Sequence, residues 1–348
     1  MTHAEARAEL DRLWAQGCAF LGTPTAIMGG AMSWVSERNL VSAISNAGGF
    51  GVLACGSMTP SLLEAEIAAT QALTTKPFGV NLITMHPALD ELVRITLAAG
   101  VGHVVLAGGL PPPAAIRAIK DGGAKLICFT PALALGRKLV RSGADALVIE
   151  GSEAGGHIGP VSLTVLAQEI LPHLNEAPVF VAGGLARGDA ILAYLEMGAA
   201  GAQLGTRFVC ATESIAHPNF KRAFLRAAAR DAVPTIQLDA RFPVIPVRAL
   251  VNDGTRQFLD HQADVIRRFQ AGSLARDEAQ LEIEHFWAGS LRRAVIEGDV
   301  ENGSVMAGQS VGMVRSEAPT AGIIGELVEQ AVATLVARAG ARVPAPAG

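Results

Sequence analysis

The sequence predicts an α/β protein: a (β/α)8 TIM barrel with a smaller, mainly helical lobe near its C-terminal rim. Three observations lead there. Short apolar runs alternate with helix-like stretches at intervals of ~20–28 residues, the repeat of βα units. Eight such runs lie between residues 25 and 204, the strand number of the barrel. Half the residues are hydrophobic and 17% are charged, as suits a parallel sheet buried on both faces. A doubly wound open sheet is the rival. Against it, Met28-Gly29-Gly30-Ala31-Met32 after the first strand lacks the G-x-G-x-x-G fingerprint of that fold.

In chain order, residues 1–23 read as an N-terminal helical extension and residues 24–213 as the barrel. Its strands are expected at Thr25–Met28, Gly51–Ala54, Phe78–Leu82, His103–Ala107, Lys125–Phe129, Ala146–Ile149, Val179–Ala182 and Ala202–Leu204. Between them, apolar residues recur near every 3.6 positions, as in Leu62, Ile67 and Leu73, or Ala132, Leu135, Leu139 and Val140. Gly48-Gly49, Gly100, Gly122-Gly123, Gly143 and Gly198 then read as helix ends leading into the next strand. Residues 214–310 are more charged and mostly helical, with Pro234, Pro243 and Pro246 in a loop, and read as the substrate-side lobe. Residues 311–339 form a C-terminal segment and amphipathic helix, and 340–348 a disordered tail.

Bulk properties exclude several classes. The net charge is −4 and no dense basic run exists, which argues against nucleic acid as a partner. Apolar segments are broken by Gly, Pro or charge before ~18 residues, so no membrane span is predicted. The N-terminus, with Glu5, Arg7, Glu9 and Asp11, lacks the order of a signal peptide, and a cytoplasmic location is expected. Cys18, Cys55, Cys128 and Cys210 are far apart and form no C-x-x-C, so neither a metal site nor a disulfide framework is expected.

The chemistry concentrates at expected strand ends. Gly151-Ser152-Glu153-Ala154-Gly155-Gly156-His157-Ile158-Gly159 follows the sixth strand, and in a barrel that edge carries the active site. Its glycines allow close approach to a flat ligand, and His157 can exchange protons near neutral pH. Gly183 and Gly184 follow the seventh strand, and Gln203-Leu204-Gly205-Thr206 end the eighth; loops at those two positions bind phosphate in such barrels. Gly30, Ala31 and Met32 suit a planar ring, although Met28 and Met32 are equally readable as core fillers. Asn81 either hydrogen-bonds a heterocycle or satisfies loop backbone. Glu150 either accepts from a polyol chain or pairs with a neighbouring cation. Gly303–Ser310, with Met306 and Gln309, is by sequence only a small-residue loop, of a kind that can fold over a cofactor. These residues alone leave open a non-redox phosphate-binding barrel or a barrel kept as a binding protein.

Taken together and in order from about Pro24 to Met313, these motifs resemble the nitronate monooxygenase (2-nitropropane dioxygenase) family, which includes the flavin-dependent enoyl-acyl-carrier-protein reductase II enzymes. The resemblance implies FMN as cofactor. It implies that Gly30, Ala31 and Met32 line the flavin, that Asn81 meets the ring edge, and that Glu150, Gly155 and Gly156 hold the ribityl chain and ring. Gly183, Gly184, Gln203, Leu204, Gly205 and Thr206 would take the phosphate, with Met306 and Gln309 closing over the cofactor. His157 corresponds to the family's active-site histidine, acting as acid or base on a small-molecule substrate. The leading expectation is oxidation of alkyl nitronates with O2; the alternative is NAD(P)H-dependent reduction of an enoyl thioester. Glu150, where nitronate oxidisers often carry Gln, and the stretch Glu213–Lys221 resemble the reductase branch. Lys221, Arg222, Arg226 and Arg230 offer such a branch a local basic patch. A homodimer through the added lobe is the expected assembly.

Overall fold

The structure, a computed structural model, describes residues 1–239 and 245–341. Eight parallel strands form the barrel: β1 (Ile27–Gly29), β2 (Gly51–Ala54), β3 (Phe78–Ile83), β4 (His103–Ala107), β5 (Lys125–Phe129), β6 (Ala146–Glu150), β8 (Val179–Ala182) and β9 (Gly201–Leu204). The two-residue β7 (Gly156–His157) lies outside it. Each strand pairs with its neighbour in the order β1-β9-β8-β6-β5-β4-β3-β2. Gly29 N–H donates to Phe50 O and Phe50 N–H to Ile27 O, both at 2.8 Å, and these bonds close the ring between β1 and β2. The strands are short, β-branched and buried on both faces, which is why they read as continuous apolar runs.

Two N-terminal helices, α1 (His3–Leu13) and α2 (Ala15–Leu21), stopper the N-terminal end of the barrel. His103 Nε2 donates to Phe20 O at 3.0 Å, Lys125 Nζ donates to the same carbonyl, and the Phe20 and His103 rings meet edge-on. The outer helices are α3 (Arg38–Asn46), α4 (Pro60–Leu73), α5 (Leu89–Ala98), α6 (Pro113–Asp121), α7 (Leu133–Arg141), α8 (Leu163–Ile170) and α9 (Gly188–Glu196). On α4 the barrel-facing residues are Leu63, Ile67 and Thr70; Leu62 and Leu73, read as part of the apolar face, are exposed.

After β9 comes only one turn, α10 (Thr206–Val209). The place of an eighth outer helix is taken by α14 (Thr320–Ala341), which packs between α9 and α3 and also touches α1. By length and composition alone, residues 320–340 are apolar enough to cross a membrane, which corrects the expectation that no segment reaches that length. Here Ile323, Ile324, Leu327 and Val332 are buried against the barrel. Gly340 and Ala341 continue the helix; the rest of the expected tail, 342–348, lies outside the described residues.

The lobe contains α11 (Pro218–Arg226) and a hairpin of α12 (Asp253–Gln270) and α13 (Arg276–Val295). The hairpin has its own core of Phe258, Val265, Ile266, Ile283 and Trp287, and half-buried Met306 touches both cores. The expected proline loop is the connection of a hairpin: β10 (Ala232–Pro234) pairs with β11 (Val247–Leu250), β11 pairs with β7, and Pro246 lies in the connection. Pro234 ends β10, the Pro246 carbonyl accepts from Ile158 N–H at 2.9 Å, and Pro243 lies outside the described residues.

Candidate active site at the barrel mouth

Strand register sets the floor of the site. Glu150 of β6, Ala182 of β8, Gln203 of β9 and Met28 of β1 stand at one level across neighbouring strands. Glu150 and Gln203 are therefore two strand spacings apart, about 10 Å. Asn81 stands near the C-terminal end of β3, beside Ala54 and Val105. Asn81 and Gln203 are buried and Glu150 is half-buried, yet none of the three side chains hydrogen-bonds a described residue. The pairing of Glu150 with a nearby cation, one of its two readings, is thus not found among the described residues. Desolvation at the mouth pushes its carboxyl up to about 8 from the usual 4.5. Met28 is fully buried core, whereas Met32 is half-buried with its sulfur beside Gly205.

The loops after β8 and β9 form a cradle. Gly183 and Gly184 have φ of +94° and +71°, a conformation that L side chains rarely adopt. No described group accepts from the backbone N–H of Gly183, Gly184, Gly205 or Thr206. Gly30 lies so near that a Cβ on it would be 3.3 Å from Gly205 Cα. Leu204 turns its side chain into the core and gives its carbonyl to Gly30 N–H at 2.8 Å, so it contributes strand rather than a group facing the mouth. With one turn only, α10 supplies local N–H donors and little macrodipole.

The distant segment around Met306 returns to this mouth. Leu250 N–H donates to Val305 O at 2.9 Å, and Met306 bridges to Ala249. Gly308 N–H then donates to Thr206 Oγ1 at 3.0 Å, leaving the hydroxyl proton of Thr206 to donate elsewhere. Gln309 N–H donates to Glu153 O at 2.9 Å, which fastens the segment to the loop after β6. Gly155 is in such close contact that a Cβ there would lie 2.5 Å from Gly308 N. A Cβ on Gly156 would sit 3.6 Å from the Met306 sulfur.

His157 is exposed, on β7, opposite Val247 of β11. Two residues missed by sequence reasoning hold its loop. Arg248 is buried; its Nε donates to Ser152 O at 2.9 Å and its Nη1 to Ala232 O at 2.5 Å. Burial lowers the Arg248 pKa, and nearby Glu153 opposes that shift. Glu153 accepts from Leu163 N–H, at 3.0 Å to one oxygen, and so caps α8. The stretch Val247-Arg248-Ala249-Leu250 after a proline, with one charge among apolar residues, is a short-strand signal that would have pointed to Arg248. No local signal marks Glu153, which lies ten residues before the N–H it caps.

Donors in two adjacent loops and three polar side chains, none with a partner among the described residues, and a close glycine pair suit a phosphate-bearing, flat, heteroatom-rich cofactor such as FMN. Such a lining at the C-terminal rim fits the class of cofactor-dependent barrel enzymes. The chain belongs to the nitronate monooxygenase family, whose model matches residues 17–330. It is 34% identical to the (3aS,4S,5R,7aS)-5-hydroxy-7a-methyl-1-oxo-octahydro-1H-indene-4-carboxyl-CoA dehydrogenase of Mycobacterium tuberculosis, over 74% of this chain and 68% of that one. It is 28% identical to the nitronate monooxygenase of Paraburkholderia phytofirmans, over 88% and 92% of the two chains. The structure of FabK from Thermotoga maritima superposes with a TM-score of 0.82 at 35% identity, covering 93% and 98%. The protein is an FMN-dependent oxidoreductase of this family.

Proposed function

We propose that the barrel mouth oxidises small alkyl nitronates, with O2 as the electron acceptor and His157 as the acid–base group. The observation that supports this reading is the placement of His157 on an exposed rim strand, in a loop held by Arg248 and by the Met306–Gln309 segment. FMN, when bound, supplies the electron transfer. Gly183, Gly184, Gly205 and Thr206 bind its phosphate, with Gln203 beside them. Gly30, Ala31, Met32 and Asn81 border its ring, and Glu150, Gly155 and Gly156 meet the ribityl chain and inner ring. Met306 and Gln309 exclude water from above. His157 orients the substrate and takes or returns a proton at an imidazole nitrogen, a contribution of roughly 10²–10⁴-fold. Oxygen uptake with propyl nitronate tests this: His157→Ala should retain FMN and lose turnover by that factor, and unchanged turnover would remove the role.

A second reading, reduction of an enoyl thioester with NAD(P)H as the hydride donor, is favoured by the relative named for a carboxyl-CoA substrate and by Glu150. Of the basic patch expected for it, Lys221 drops out: it is buried against Ala211 O and Glu317, while Arg222, Arg226 and Arg230 are exposed. Thioester-dependent NAD(P)H consumption would establish this reading. A homodimer and a cytoplasmic location complete the proposal.

A further inference from the structure

The two cradle loops leave the barrel on neighbouring strands, and the C-terminal helix grips both. The loop after β8 ends at Gly188, the first residue of α9, whose N–H donates to Gln330 Oε1 at 2.8 Å. A Cβ on Gly188 would lie 1.8 Å from Leu327 O, so the two helices touch backbone to backbone at this point. The loop after β9 ends at Thr206 and Arg207. Arg207 is buried; its Nη2 donates to Glu326 Oε2 at 3.2 Å, while its Nη1 has no hydrogen-bond partner among the described residues. Glu326 and Gln330 are four residues apart on α14 and are joined by Gln330 Nε2 donating to Glu326 Oε1 at 2.9 Å. One face of one helix therefore holds both loops.

We propose that α14 positions the phosphate cradle from outside the barrel, with Gln330 fixing the Gly183–Gly184 loop through Gly188 and Glu326 fixing the Gly205–Thr206 loop through Arg207. The inference rests on the reading of this cradle as the FMN phosphate site. Backbone donors select an anion only at a set spacing; the β8–β9 pairing ties the two loops at their bases, and the Glu326–Gln330 bridge ties their far ends. Glu326 is exposed and Gln330 half-buried, so both tolerate substitution without an overpacked core.

The test is binding of FMN and of riboflavin, which lacks the phosphate, to the apoprotein by flavin fluorescence, with thermal unfolding of the apoprotein alongside. The wild type should prefer FMN; equal affinity for the two would defeat the phosphate reading itself. Gln330→Ala and Glu326→Ala should each weaken FMN about tenfold, the worth of one well-made hydrogen bond, and leave riboflavin within about twofold. Glu326→Gln, which keeps an acceptor for Arg207, should recover part of the loss. If the wild type prefers FMN but the variants lose both ligands in parallel, or lose neither, α14 is only a structural outer helix and the proposal is overturned.

Discussion

Replacing Arg248 with Met keeps the volume and removes the donors. Two carbonyls, part-buried Ser152 O and buried Ala232 O, then lose charge-assisted hydrogen bonds of 2.9 and 2.5 Å. Such bonds contribute about 1.5–3 kcal/mol each, and relief from burying a cation offsets part of the loss. A net destabilisation of ~2–4 kcal/mol follows, concentrated where β10, β11 and the His157 loop meet. Lysine should rescue little, because one ammonium cannot reproduce the planar fork that reaches two segments. Urea unfolding gives the stability change. Steady-state kinetics gives the second half of the prediction: a loosened His157 loop should lower kcat by ~10–100-fold. A Met variant with wild-type midpoint and wild-type kcat would refute the claim that Arg248 holds the loop.

Further consequences follow from the same contacts. Gly155→Ala places a Cβ 2.5 Å from Gly308 N and 2.6 Å from Ala307 C, so the returning segment must shift. We expect a loss of ~1–3 kcal/mol and faster FMN release, read by stopped-flow dilution; an unchanged release rate would mean the segment does not close over the cofactor. Glu150 gives a pH signature in the apoprotein. Its native carboxyl holds a proton up to about 8, against 4.5 for the ordinary group, so between these values the native state binds more protons than the unfolded one. That contribution is fully present below about 4.5 and is lost as pH rises through 8. Glu150→Gln should flatten the slope of stability across this window, and an identical slope in the variant would place the titration elsewhere.

The barrel was legible because its strands are apolar on both faces: seven of the expected strands match within one residue at each end, among them Gly51–Ala54 and Lys125–Phe129. Local turn chemistry was equally readable, since Gly48, Gly100, Gly143 and Gly198 all have positive φ at helix ends. What could not be read is what depends on distant pairing. The β7–β11 ladder joins residues 156–157 to 247–248, and two-residue strands have no periodicity to detect. For the same reason the segment Gly303–Ser310 read only as a loop, although Gly308 reaches Thr206 across 102 positions of sequence. The apolar helix α14 was recognised as amphipathic, but nothing in its sequence says that it completes the outer ring.

Anaerobic reduction of the bound flavin, followed by absorbance in a stopped-flow instrument, bears most directly on the proposed reaction. The holoprotein is mixed separately with propyl nitronate, with NADH and with NADPH. Rapid bleaching by the nitronate alone, with turnover once air is admitted, is the expected result. Bleaching by a nicotinamide alone, with reoxidation by an enoyl thioester and not by O2, would contradict it and assign the site to thioester chemistry.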